Sequence, residues 1–114
     1  MKMSTKRLIE IIKEEVSSDI EKENNMKNLI EDNYKSIVDR GLITPTTTKS
    51  DFIDKLFEEV GEFEFCYTEN KGEINSEELA DIILVCFNIA KHYDIDIEKE
   101  LKNKIEINNK RANN

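Results

Sequence analysis

The sequence predicts an all-α protein: an antiparallel helical bundle of four to five helices, completed by oligomerisation. Apolar residues recur at spacings of three and four along most of the chain, the period of a helix face. Glycine occurs three times and proline once in 114 residues, so the turns that a sheet would need are missing. Apolar residues make up 38% against 37% charged, which leaves a lean core and points to apolar surface shared between subunits. The length suits one domain, 1 to 114, with the chemistry-bearing part at 51 to 111 and N-terminal helices and a loop at 1 to 50.

The first apolar face is Leu8, Ile9, Ile12, Val16 and Ile20, and a second is Met26, Ile30, Tyr34, Ile37 and Val38. Asn24 and Asn25 mark either a break between two helices or the middle of one. Gly41 stands where a helix C′ residue belongs, and "LITPTTTKS" at 42 to 50 follows with proline and hydroxyl residues, which is loop chemistry. Ser50 or Thr48 caps a helix from about 51 to 67. A turn follows at 68 to 75. Asn75, with Glu78 three residues on, starts a helix over about 76 to 93 in the manner of a capping box. "DID" at 94 to 96 restarts the chain into a last helix, about 97 to 111, with a frayed "ANN" tail.

Charge and apolar runs exclude some functions. With 25 acids against 17 bases the net charge is -8, which repels a phosphate backbone and provides no basic stripe, so nucleic acid is not expected as a partner. An anionic small molecule remains compatible if a cation stands between it and the carboxylates. "MKMSTKR" leads into a charged helical pattern without the apolar region of a secretory signal, and the longest apolar run, Ile82 to Phe87, is far short of the ~20 residues of a membrane span. A cytoplasmic location and no membrane association are expected. Cys66, Cys86 and His92 do not make up a tetrahedral zinc set on their own, so both cysteines read as reduced core thiols.

The carboxylates are the informative feature. In "FEEVGE", Glu58, Glu59 and Glu62 fall within about 100° of helical arc, opposite Phe52, Ile53, Leu56, Val60, Phe63 and Tyr67. The next helix is apolar over about two thirds of its circumference, through Leu79, Ile82, Ile83, Val85, Cys86, Phe87, Ile89, Ala90 and Tyr93, as an interior helix would be. Its polar remainder is a narrow stripe of Glu77, Glu78, Asp81, Asn88 and His92. Glu59 and Glu62 are spaced i,i+3, as are Glu78 and Asp81, so two neighbouring helices can each turn one pair toward the gap between them. Buried carboxylates cost several kcal/mol each unless paired or bound to a metal. Four that converge call for a hard divalent cation such as Mg²⁺. In the last helix Lys104, Asn108 and Arg111 share a face within about 60° and suit phosphate oxygens. The plainer readings are a solvated acidic face and a C-terminal turn whose cations complement the helix dipole.

These residues resemble a known pattern. "EEVGE" (Glu58, Glu59, Glu62) is similar to the EExxE motif, and "ELAD" (Glu78, Asp81) to the ExxD motif, of the MazG-like all-α nucleoside triphosphate pyrophosphohydrolases, related to the dimeric dUTPases and dCTP pyrophosphatases. "KIEINNKR" resembles the lysine, asparagine and arginine run that closes many such domains. The resemblance implies Mg²⁺, or Mn²⁺, held by Glu59, Glu62, Glu78 and Asp81. It also implies cleavage of a (deoxy)nucleoside triphosphate between its α and β phosphates, and assembly as a homodimer or homotetramer. Glu58 would then orient a water or accept its proton, with Lys104, Asn108, Arg111 and Lys55 on the phosphates; an intrahelical ion pair with Glu59 is the other role open to Lys55. Tyr34, Phe52 and Phe65 stand for the aromatic residues that face the base in the family, and the tail departs from it in having "ANN" after Arg111. The alternative is a non-catalytic acidic helical module that binds a protein partner or sequesters a nucleotide.

Overall fold

The computed structural model describes residues 4 to 113, with side chains described outside 14 to 24. Every regular element among the described residues is helical: α1 (Thr5–Asp39), α2 (Lys49–Glu69), α3 (Ser76–His92) and α4 (Ile97–Ala112). The two apolar faces near the N-terminus belong to one helix, α1. Its bounds enclose no glycine or proline, and a helical asparagine costs less than about 1 kcal/mol relative to alanine, too little to force a break. Val16, Ile20 and Asn24, which entered the reading of this segment, lie outside the described side chains.

Local chemistry sets the helix ends. Ser4 accepts from the Arg7 amide at 3.2 Å to start α1. At its far end Gly41 takes φ +74°, with Gly41 N–H donating to Val38 O at 2.9 Å and Leu42 N–H to Ile37 O at 3.1 Å. That pair of bonds is a Schellman motif, which needs a left-handed residue where the glycine stands. Thr48, not Ser50, caps α2 in a full capping box: its hydroxyl accepts from Asp51 N–H at 3.1 Å while the Asp51 carboxylate accepts from Thr48 N–H at 2.8 Å. Asn75 caps α3 by accepting from Glu78 N–H at 3.0 Å, and Asp96 caps α4 by accepting from Lys99 N–H at 3.1 Å. Between α1 and α2, Thr44 and Thr47 tie the loop to itself, and Ile43 tucks into the core.

α3 is the central helix and packs on both α2 and α1. It is not interior on all sides as its composition predicts. Val85, Asn88 and Ala90 are buried, whereas Leu79, Ile83 and Cys86, spaced i, i+4, i+7, are exposed. Among the described residues α1 and α2 are the helices that pack closely on α3, and this side of it stays uncovered. Cys86 is therefore not a core thiol; Cys66 is half-buried, and both are free. α4 has no buried residue, and among its described side chains only Ile97 and Glu98 reach intermediate burial.

The chain is therefore open in shape. Its radius of gyration is 20.1 Å, whereas a compact chain of this length has about 13 Å. Its accessible surface is 9453 Å², about 3,000 Å² more than a compact monomer of this mass would expose. No helix among the described residues is long and apolar enough to cross a membrane.

Candidate metal centre and cleft

The short link between α2 and α3 makes them a helical hairpin, and their carboxylates meet across its seam. Glu59 of α2 and Glu78 and Asp81 of α3 each offer an oxygen, and these oxygens all lie within 4.8 Å of one another. Glu59 is buried, at 7% exposure; Glu78 is half-buried and Asp81 exposed, so the group opens outward from a sheltered base. Lys55, one turn back on α2, reaches Glu59 Oε1 at 3.0 Å and Glu58 Oε1 at 3.4 Å. That leaves Glu59 Oε2 with no partner, and Glu78 Oε2 is equally buried and partnerless. A buried acceptor without a donor costs ~1–3 kcal/mol, more when charged, and the two on facing helices belong to a group that could hold a metal ion.

Of the four carboxylates predicted to act together, three meet in this way. Glu62 is exposed and outside the group of close oxygens. It still feels the cluster: repulsion from Glu59 raises its carboxyl above the ordinary range, with desolvation and the charges of Glu78 and Glu58 adding to the shift. Glu58 is exposed and turned toward Lys55. The Lys55 ammonium is raised in turn, chiefly by its hydrogen bond to Glu59.

Glu59 and Asp81, with Glu58, line a cleft of about 650 Å³. Its walls come from α1 (Asn33, Ile37) and its C-cap Arg40, α2 (Phe52, Lys55, Glu58, Glu59) and α3 (Asp81, Leu84, Val85, Asn88), with Ile43 and Thr47 from the loop. Lys104, Asn108 and Arg111 are exposed on α4, and none of them lines this cleft. Its cationic wall residues are instead Lys55 and Arg40. Arg40 escaped sequence reading because it looks like an ordinary residue before a C′ glycine; the Schellman turn is what swings the chain there toward α2. Of the aromatic residues, Phe52 lines the cleft floor at 5% exposure and Phe65 points to solvent. Tyr34 Oη shares a hydrogen bond of 3.0 Å with His92 Nδ1. His92 also packs on Phe52 and Tyr93, with ring centroids 4.8 and 5.0 Å apart, so this histidine belongs to the core between α1, α2 and α3.

In comparisons with known proteins, no family model, curated protein or solved structure matches the chain.

Proposed function

We propose that the chain is a Mg²⁺-dependent nucleoside triphosphate pyrophosphohydrolase, releasing a nucleoside monophosphate and pyrophosphate. The observation that carries this reading is the pair of buried, partnerless oxygens, Glu59 Oε2 and Glu78 Oε2, in a carboxylate group that opens with Asp81 onto a cleft. Hard oxygen donors of this number and sign suit Mg²⁺ or Mn²⁺, and a surface acidic face would not sequester two of its oxygens. Glu59, Glu78 and Asp81 would hold the ion, with Glu62 at the exposed edge of the same field. Once bound, a divalent ion supplies positive charge at phosphate oxygens and makes a water more acidic.

The remaining roles fall to the chain's own residues. Lys55 fixes Glu59 Oε1 and so aims Oε2 at the opposing helix. Glu58, held at 3.4 Å from Lys55 at the cleft wall, is placed to orient a water and take its proton. Arg40 and Lys55 flank the entry and neutralise phosphate charge. The EExxE and ExxD resemblance adds the bond cleaved, between the α and β phosphates.

We propose further that the functional unit is a homodimer or homotetramer. Ile53, Phe57 and Val60 form a stripe on α2, with Phe57 71% exposed, and Leu79 and Ile83 extend the uncovered apolar surface onto α3. The surplus of about 3,000 Å² exceeds the ~1,000–2,500 Å² that one subunit contributes to an obligate interface, which leaves room for more than one such contact. Lys104, Asn108 and Arg111 on the otherwise unpacked α4 then become available to a neighbouring subunit's cleft.

The test is a panel of canonical and modified (deoxy)nucleoside triphosphates incubated with Mg²⁺ and assayed for pyrophosphate. Wild type releases pyrophosphate from at least one, and Asp81→Asn and Glu78→Gln stay helical and lose that release. Full activity in either variant would refute the metal assignment. Mg²⁺ calorimetry separates this reading from the acidic binding module, which should show no carboxylate-dependent metal binding.

A further inference from the structure

The carboxylate group occupies one region of the cleft and leaves its most deeply buried amide unused. Asn88 lies seven residues after Asp81 on α3, which puts it on the same face about 10.5 Å further along the axis. It is 7% exposed, and Asn33 Nδ2, from α1, donates to its Oδ1 at 2.7 Å. Each asparagine amide has two N–H donors and an oxygen with two lone pairs, so this bond leaves Asn88 Nδ2 and Asn33 Oδ1 unspent. Neither atom has another protein partner among the described residues. Neither is sealed away, because the buried partnerless side-chain atoms are Glu59 Oε2 and Glu78 Oε2. Both asparagines line the cleft.

The surroundings narrow what those ends can bind. Ile37, Leu84, Val85 and Phe52 line the cleft alongside the two amides and offer apolar contact, while Arg40, Asp51, Asp54 and Lys55 add charge to the same lining. A donor beside an acceptor among apolar walls complements a planar heterocycle that carries an acceptor beside an N–H on one edge. The two-turn separation from Asp81 is on the scale of a nucleoside, with a phosphate at the acidic end and a base at the amide end.

We infer that the Asn33–Asn88 amide pair selects the substrate by hydrogen bonding the edge of its heterocyclic base, Asn88 Nδ2 donating and Asn33 Oδ1 accepting, while Phe52 and Val85 contact the ring. The inference rests on the proposed triphosphate chemistry for the other end of the ligand. It assigns discrimination to residues outside the metal centre. A base whose edge is blocked leaves both amide ends unsatisfied, so discrimination against it should be strong.

The experiment is calorimetric binding, with Mg²⁺, of the α,β-methylene analogues of UTP, CTP, ATP and GTP, of their counterparts methylated at the edge N–H, and of inorganic tripolyphosphate as a ligand without a base. Wild type should bind at least one unmethylated nucleotide roughly ten- to hundredfold more tightly than tripolyphosphate, and methylation should remove that margin. Asn33→Ala and Asn88→Asp should lose the margin and keep wild-type affinity for tripolyphosphate and Mg²⁺. A margin that survives methylation in wild type overturns the inference, as does one that survives both substitutions; the methylated ligands decide the matter if a variant fails to fold. If wild type binds tripolyphosphate and nucleotides equally, the amide pair has no such role and the triphosphate reading stands. If it binds neither in the presence of Mg²⁺, both fall.

Discussion

Replacing Glu59 by glutamine removes one negative charge from the group while keeping the shape of the side chain. At 4.8 Å, the largest separation among the three oxygens, two like charges repel by about 0.9 kcal/mol in a water-like dielectric and about 3.5 kcal/mol at an effective value near 20. The substitution relieves two such pairs, about 2 to 7 kcal/mol. It also forfeits the attraction to Lys55 at 3.0 Å, about 1.4 to 5.5 kcal/mol over the same range. Within the group of three the two effects nearly cancel, with a remainder of up to about 1.4 kcal/mol in favour of the variant, and the relieved repulsion on Glu62 acts in the same direction. In EDTA, Glu59→Gln should therefore unfold at the wild-type temperature or a few degrees above it, since 1 kcal/mol shifts a domain of this size by about 4 °C. Added Mg²⁺ reverses the order: at a hundredfold excess over its dissociation constant it stabilises wild type by about 2.7 kcal/mol, and the variant gains little. Circular dichroism melts with and without Mg²⁺ read both effects. The reasoning fails if the metal-free variant loses several kcal/mol, as expected when a buried ion pair is broken, or if it keeps the full Mg²⁺ shift.

Three further outcomes follow from particular residues. Glu62 holds its proton more tightly in the folded chain than in the unfolded one, so metal-free stability should fall as pH rises from the ordinary carboxylate value through the raised one. Mg²⁺ binding in that window expels the proton; its affinity should climb with pH, and Glu62→Gln should flatten the climb in calorimetry. Phe57→Glu should leave the helical content unchanged and convert the proposed oligomer to monomer in sedimentation; an unchanged mass would remove α2 from the proposed interface. Asp94 takes φ +54° in a second Schellman turn, where Ile95 N–H donates to Ala90 O at 2.8 Å, so Asp94→Gly should stabilise the chain by about 0.5–1 kcal/mol in urea unfolding.

How much the sequence revealed depends on the range of the interaction. The helix ends at Thr48, Asn75 and Gly41 were legible because a cap is decided within about four residues. The all-helical class was legible from periodicity for the same reason. The arc of acids on α2 could be drawn from helical spacing, but its choice between Glu59 and Glu62 could not: both sit on that arc, and only the packing of α2 on α3 decides which one meets Glu78 and Asp81. Asn33 and Arg40 join the cleft through the face that α1 turns toward α3, a contact spanning 55 residues in the case of Asn33 and Asn88, and nothing local to either residue signals it. The apolar breadth of α3 predicts interior burial; in one chain that breadth exceeds the neighbours available, and Cys86 and Ile83 remain outside.

A crystal grown with Mn²⁺ and measured at the manganese absorption edge bears most directly on the proposed metal centre. An anomalous peak about 2.0–2.2 Å from oxygens of Glu59, Glu78 and Asp81 is the expected result. A map with no peak there, or with peaks only at exposed acids elsewhere, would contradict it.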